Sequence, residues 1–103
     1  MQLDVSTFQT DCTDKEQAVK LLEEASEAYA AWQILDDALG GDESDGFTRE
    51  LVDAERERLA DELADTITAC CNLAERYGLD LQDALGRVER KNRERGRYEN
   101  GCG

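Results

Sequence analysis

The chain has no histidine and no proline, and only six aromatic residues among its 103 positions. Without histidine there is no Ser/His/Asp or Cys/His nucleophile arrangement, and no zinc site completed by imidazole. The Val/Ile/Thr-rich runs that read as strands are also missing. No apolar run approaches the ~20 residues of a membrane-spanning helix, and no signal peptide is visible. We therefore expect a cytoplasmic protein that makes no membrane contact. Basic residues are scarce, 12 against 25 acidic ones, for a net charge of −13. That deficit disfavours a nucleic-acid polymer as partner, because phosphate backbones attract Lys and Arg.

What is present forms helices. Ala, Leu, Glu, Arg and Asp dominate, and the expectation is an all-α protein of one domain, residues 1–103, with a core that a partner subunit would enlarge. The charge is uneven: residues 1–86 carry −16 and residues 87–103 carry +3. A basic tail of this kind can fold back onto carboxylates or meet an anionic ligand beside a metal. The cysteines, Cys12, Cys70, Cys71 and Cys102, lack C-x-x-C spacing. They read as reduced packing thiols.

Residues 1–12 form either a short helix or an extended arm. Thr13-Asp14-Lys15-Glu16 has the form of a capping box, so a long helix should start there and run to about Leu39. Ala18, Leu21, Ala25, Ala28, Trp32, Leu35 and Leu39 give it a three-four apolar seam. After the glycine-rich loop at 40–46, a second long helix is expected from Thr48 or Arg49 to Tyr77. Its stripe is Val52, Leu59, Leu63, Ile67, Cys70, Ala74 and Tyr77. Apolar residues outside that stripe suggest cover from another subunit. Gly78 should cap this helix and Asp80 should start a third. Gly96 should end that one, with residues 99–103 a disordered tail.

Carboxylates carry the candidate chemistry. Glu24 and Glu27 share a face of the first helix, as do Glu62 and Asp65 on the second. Glu24 lies at the edge of the apolar seam and Glu23 nearly opposite it. Two such helices side by side would gather four carboxylates, a site for hard divalent cations, and a cation would relieve their repulsion. Asn72, seven residues after Asp65, returns to nearly the same face. Taken singly, each acidic pair also reads as a solvated helix face, and Tyr29 and Trp32 read as core.

The order of these elements is more informative than any one of them. Glu23-Glu24-x-x-Glu27 precedes a polar loop, then Glu62-x-x-Asp65, then Gly78-Leu79-Asp80-Leu81, then Lys91-Asn92-Arg93-Glu94-Arg95-Gly96-Arg97-Tyr98. Over roughly residues 15–98 this resembles the MazG-like all-α nucleoside triphosphate pyrophosphohydrolases. The resemblance implies a helical bundle completed by oligomerisation, as a homodimer or homotetramer. It also implies Mg²⁺-dependent cleavage of a nucleoside triphosphate, with Mn²⁺ as a substitute, to the monophosphate and pyrophosphate. By motif, Glu24, Glu27, Glu62 and Asp65 match the metal ligands, with Glu23 as an extra. Lys20 matches a basic residue ahead of the first motif, and Trp32 an aromatic near the base. Lys91, Asn92 and Arg95 fall in the family's phosphate-contacting segment. The chain departs from some members at Ala69, where they carry an aromatic, and in lacking their opening helix.

The chemistry suits the residues themselves. Phosphoryl attack needs charge neutralisation and an activated water, and carboxylate-held metal supplies both. Lys91 and Arg95 would hold phosphate oxygens, and Glu24 or Glu27 would serve as general base. Two other readings stand beside this one. A phosphoribosyl-ATP pyrophosphohydrolase would share the acidic motifs. A non-enzymatic acidic module that binds a basic partner would need only the net charge.

Overall fold

The computed structural model describes residues 1–42 and 44–100. The regular elements among them are all helical: α1 Asp14–Leu39, α2 Gly46–Arg76, α3 Leu81–Glu94 and the short α4 Arg97–Asn100. The helix ends follow from the local sequence. Thr13 Oγ1 accepts the Glu16 N–H at 3.1 Å, and its hydroxyl donates to the Glu16 carboxylate at 3.0 Å. Asp14 and Glu16 complement the dipole of the first turn. Asp45 caps α2 by accepting the Phe47 N–H at 3.1 Å. This cap starts α2 at Gly46, ahead of the expected Thr48, because a good N-cap outweighs one glycine inside the first turn.

At the other end of α2, Gly78 takes φ +63°. Its N–H reaches the Glu75 carbonyl, and the Leu79 N–H reaches the Ala74 carbonyl at 2.9 Å. These are the two bonds of a Schellman ending, and the positive φ is what makes glycine suited to it. Asp80 then caps α3 by accepting the Asp83 N–H at 2.9 Å. Gly96, at φ +67°, turns the chain out of α3 and into α4. Residues 99 and 100 are thus helical, not part of a disordered tail. Positions 101–103, with Cys102, lie outside the described residues.

Packing centres on an antiparallel hairpin of α1 and α2. Its inner face departs from the expected one. On α1 the less accessible positions are Gln17, Leu21, Glu24, Ala28, Ala31, Leu35 and Ala38. Ala18 and Ala25 are exposed, and so are Trp32 and Leu39 at 45% and 46%. The seam is therefore turned by one residue at every second position. On α2 it runs through Val52, Glu55, Leu59, Glu62, Thr66, Ala69 and Leu73, while Leu63 and Tyr77 are exposed. Small side chains explain the choice. Ala28, Ala31 and Ala69 let the helix axes approach, whereas Trp32 in the same place would hold them apart. Tyr29 and Trp32 are not core: they stack on each other at 5.7 Å on the outer face.

The hairpin alone makes a thin core. Its buried apolar residues are Ala28, Ala31, Val52, Ala69 and Ala74, and among the described residues no large side chain is fully buried. α3 has no buried residue and packs mainly with α4. The radius of gyration is 17.3 Å, against about 13 Å for a compact chain of this length. No helix among the described residues is long and apolar enough to cross a membrane. Ala31, with no exposed surface, is the most demanding point of the seam. Ala31→Phe should cost about 1–3 kcal/mol, read as a lower midpoint in thermal or urea unfolding. An unchanged midpoint would mean that the helices do not close at Ala31.

Candidate metal centre

The α1–α2 seam places Glu24 opposite Glu62 and Asp65. One carboxylate oxygen from each lies within 4.8 Å of the others. Glu24 is buried, Glu62 half-buried and Asp65 exposed, so the group opens from the seam towards solvent. The helical registers produce this directly. Glu24 is itself a seam position between Leu21 and Ala28, not the stripe edge that the sequence suggests. Glu62 is its counterpart between Leu59 and Thr66, and Asp65 follows three residues later on the same side.

The oxygens are under-satisfied. Glu24 Oε1 pairs with Lys20 Nζ at 2.9 Å, but Oε2 of Glu24 and Oε2 of Glu62 are desolvated and have no hydrogen-bond partner. A buried carboxylate oxygen without a donor is costly. A cation in the group would supply both with a partner. The donor set, all carboxylate oxygen, suits Mg²⁺, Mn²⁺ or Ca²⁺ and not a soft metal.

Glu27 stands beside the group without joining it. The Glu24 charge, with desolvation and the Glu62 charge, raises the Glu27 carboxyl above the ordinary range. Glu23 lines the neighbouring cavity but stays out of the group: it is 60% exposed, and its closest cation is Lys20 at 4.0 Å. Being 100° round the helix from Glu24, it cannot share the seam. Lys20 is raised above its usual pKa, first by its hydrogen bond to Glu24 and then by the Glu24 charge.

A cavity of ≈ 540 Å³ adjoins the carboxylates and includes Glu24, Asp65, Lys20 and Asn72 in its wall. Asn72 is therefore where its spacing from Asp65 put it. Trp32 is not; it lines a separate outer depression with Gln33 and Asp36. Lys91, Asn92 and Arg95 line neither cavity. Lys91 and Arg95 are exposed, and Asn92 accepts from Arg97 at 3.3 Å. The neighbouring Arg93 pairs with Glu89 and lies over the Tyr98 ring at 5.4 Å. In a single chain Asn92 and Arg93 are thus occupied locally, and Lys91, Asn92 and Arg95 stand outside the cavity that adjoins the acidic group.

Two features went unread in the sequence. One is Glu55, a third carboxylate with a desolvated, unbonded Oε2, whose nearest cation is Arg58 at 3.7 Å. Its seven-residue spacing from Glu62 was the available signal. The other is the place of the N-terminal arm, which has no helix, the second of the two conformations the sequence allows, and which forms one side of the cavity through Phe8, Thr10 and Cys12. Cys12, Cys70 and Cys71 are free thiols, as their spacing suggested.

The repulsion has a measurable consequence. Glu27 is raised in the folded chain, so between its unfolded and folded pKa values the folded state binds more protons. Stability then falls as pH rises through that window. In chelator, raising the pH from about 4 to 7 should lower the Tm of the native protein more than that of Glu27→Gln. Added Mg²⁺ at neutral pH should recover the loss. Parallel Tm curves for the two proteins would show that Glu27 is not coupled to the group.

Comparison with protein-family models, with curated proteins and with solved structures gave no match. The chain is assigned to no family, and the reading of its site stands on the residues themselves.

Proposed function

We propose that the chain is a Mg²⁺-dependent nucleotide pyrophosphohydrolase that cleaves a nucleoside triphosphate to the monophosphate and pyrophosphate. The observation that carries this reading is the convergence of Glu24, Glu62 and Asp65 within 4.8 Å, with unpartnered oxygens on the two seam glutamates. The adjoining cavity is of a size that holds a small organic ligand. The order of motifs along the chain supports the choice of substrate.

In this reading Glu24, Glu62 and Asp65 hold the cation. When bound, the metal supplies charge neutralisation and a more acidic water. Glu27 is the favoured general base. It lies next to the group, is not one of its three donors, and has a raised proton affinity. Lys20 neutralises Glu24 while no metal is present. Once a cation takes over that role, the Lys20 ammonium is free to turn to a phosphate oxygen. Lys91 and Arg95 reach the phosphates only if α3 docks on a hairpin, because one chain leaves them apart.

Docking of this kind accords with a homodimer or homotetramer, the oligomer we propose. Leu22, Tyr29, Trp32 and Leu39 are 70%, 60%, 45% and 46% exposed, on a second three-four stripe of α1. Leu85 and Val88 of α3 are likewise uncovered. A second copy supplies the missing layers of a helical bundle.

Glu24→Gln, Glu62→Gln and Asp65→Asn should each lower Mg²⁺-dependent pyrophosphate release by at least about 10²-fold while helicity is kept. Wild-type rates in all three would overturn the metal-site reading. Light scattering should give a mass of at least twice the 11.5 kDa chain. Deleting residues 91–103 should leave Mg²⁺ binding intact, raise KM, and lower kcat if Arg95 meets charge developed in the transition state. Unchanged kcat/KM at both low and high salt would take the tail out of the site.

A further inference from the structure

The cavity beside the carboxylates has two chemically different ends. At one end are Glu23, Glu24, Asp65 and Lys20. At the other are the arm residues Phe8, Thr10 and Cys12 with Gln17, Ala69 and Asn72, and the oppositely charged Lys15 and Glu16 beside Gln17. Gln17 and Asn72 are 5% and 4% exposed, so two carboxamides are buried in this wall. We propose that the arm end is a recognition pocket for the heterocyclic part of the ligand, with Phe8, Gln17 and Asn72 as its specificity-determining residues. This inference rests on the nucleotide reading above.

The arm is pinned in place. The Phe8 N–H donates to Asn72 Oδ1 at 2.9 Å, and Gln9 Nε2 donates to the Asn72 carbonyl at 3.3 Å. Further along, Arg76 donates to the Cys12 carbonyl at 2.5 Å and to Asp14 at 2.7 Å. Thr10 and Cys12 both donate to Gln17 Oε1, at 3.5 and 3.4 Å. The carbonyl oxygens of the two carboxamides are therefore used to hold the arm. Their NH₂ groups donate to no acceptor among the described residues, and neither nitrogen is fully desolvated. Two buried residues thus present donors to the cavity, and donors there select a ligand edge that carries acceptors.

Phe8 completes the pocket. It is 57% exposed and belongs to the cavity wall. Ala69, 4% exposed, leaves the opposite side without bulk. A flat ring with acceptor groups can slide between Phe8 and the α2 surface, with its phosphates directed to the carboxylate end. An aromatic face of this kind accepts any planar base, and the carboxamides then discriminate among them. Arg76 is a positioning residue that acts through the arm.

The test is calorimetric titration of the full chain, with Mg²⁺ present, using two probes. One is a non-hydrolysable nucleoside triphosphate and the other is inorganic tripolyphosphate. The native protein should bind the nucleotide more tightly. Phe8→Ala and Gln17→Leu should each weaken nucleotide binding by about five- to tenfold or more and leave tripolyphosphate binding unchanged. Arg76→Ala should reduce the nucleotide preference in the same direction. Unchanged nucleotide affinity in Phe8→Ala and Gln17→Leu overturns the pocket while the metal-phosphate reading stands. Equal losses for both probes also overturn it, since the arm would then serve only the fold. If the native protein binds neither probe, the nucleotide reading itself fails and the pocket fails with it.

Discussion

The structure depends on a carboxylate placed where an apolar residue would be expected. Glu24 occupies the α1–α2 seam between Leu21 and Ala28 and faces Glu62 across it. Like charges about 5 Å apart repel by roughly 1–3 kcal/mol, from water to an effective dielectric near 20. Lys20 offsets part of this through Glu24 Oε1. The rest is not offset by hydrogen bonds: Oε2 of Glu24 and of Glu62 has no partner among the described residues, and Oε2 of Glu55 has only the Arg58 guanidinium at 3.7 Å. A seam built of three acids and small residues is a poor core in isolation. It would be a good frame for a cation, because the helices already fix the oxygens and an ion would bind only the folded arrangement.

The distribution of large side chains follows from the same seam. Alanines at 28, 31 and 69 draw the helices together, and a close approach is what brings oxygens from opposite helices within coordinating distance of one another. Trp32 and Tyr29 in the seam would have separated the carboxylates by several ångströms. They stand on the outer face, where they leave the hairpin geometry alone. The thin core is thus linked to the site. The small residues that permit the cluster are the ones that bury little area, at about 25 cal/mol per Å² of apolar surface. The stability missing from the seam has to come from elsewhere, and the exposed stripe of α1 is where the sequence keeps its largest apolar groups.

Local signals were legible and their phase was not. Thr13, Gly78 and Asp80 announce helix ends because capping depends on a few neighbouring atoms. The helical spacing predicts four carboxylates together, with Glu23 as an extra by motif; the structure gathers Glu24, Glu62 and Asp65 and leaves Glu27 and Glu23 outside the group. The inner face of α1 was misread because 21, 28 and 35 serve either phase, and apolar residues stand both at 18, 25, 32 and 39 and at 31 and 38. A rule that buries the largest residues then selects Trp32 over Ala31 and sets Glu24 at the edge. The arm was unreadable for a different reason. Its contacts with Asn72 and Arg76 span more than 60 residues of chain, and no periodicity encodes them. The basic segment at 91–95 shows composition but not position, because α3 finds no seat on its own hairpin.

The arm and the acidic group are joined through two short helical paths. Asn72 lies two turns beyond Asp65 on α2, and Gln17 lies two turns before Glu24 on α1. Both carboxamides bond to the arm, while both carboxylates belong to the cation group. Helices are stiff over two turns, so the distance between the arm and the metal position is set by the rise of ~1.5 Å per residue, or about 10 Å for seven residues. That separation cannot change unless the hairpin itself slips. A slip by one residue would carry Glu24 and Gln17 out of the seam together. One helical register, the packing of α1 on α2, therefore sets both ends of the cavity.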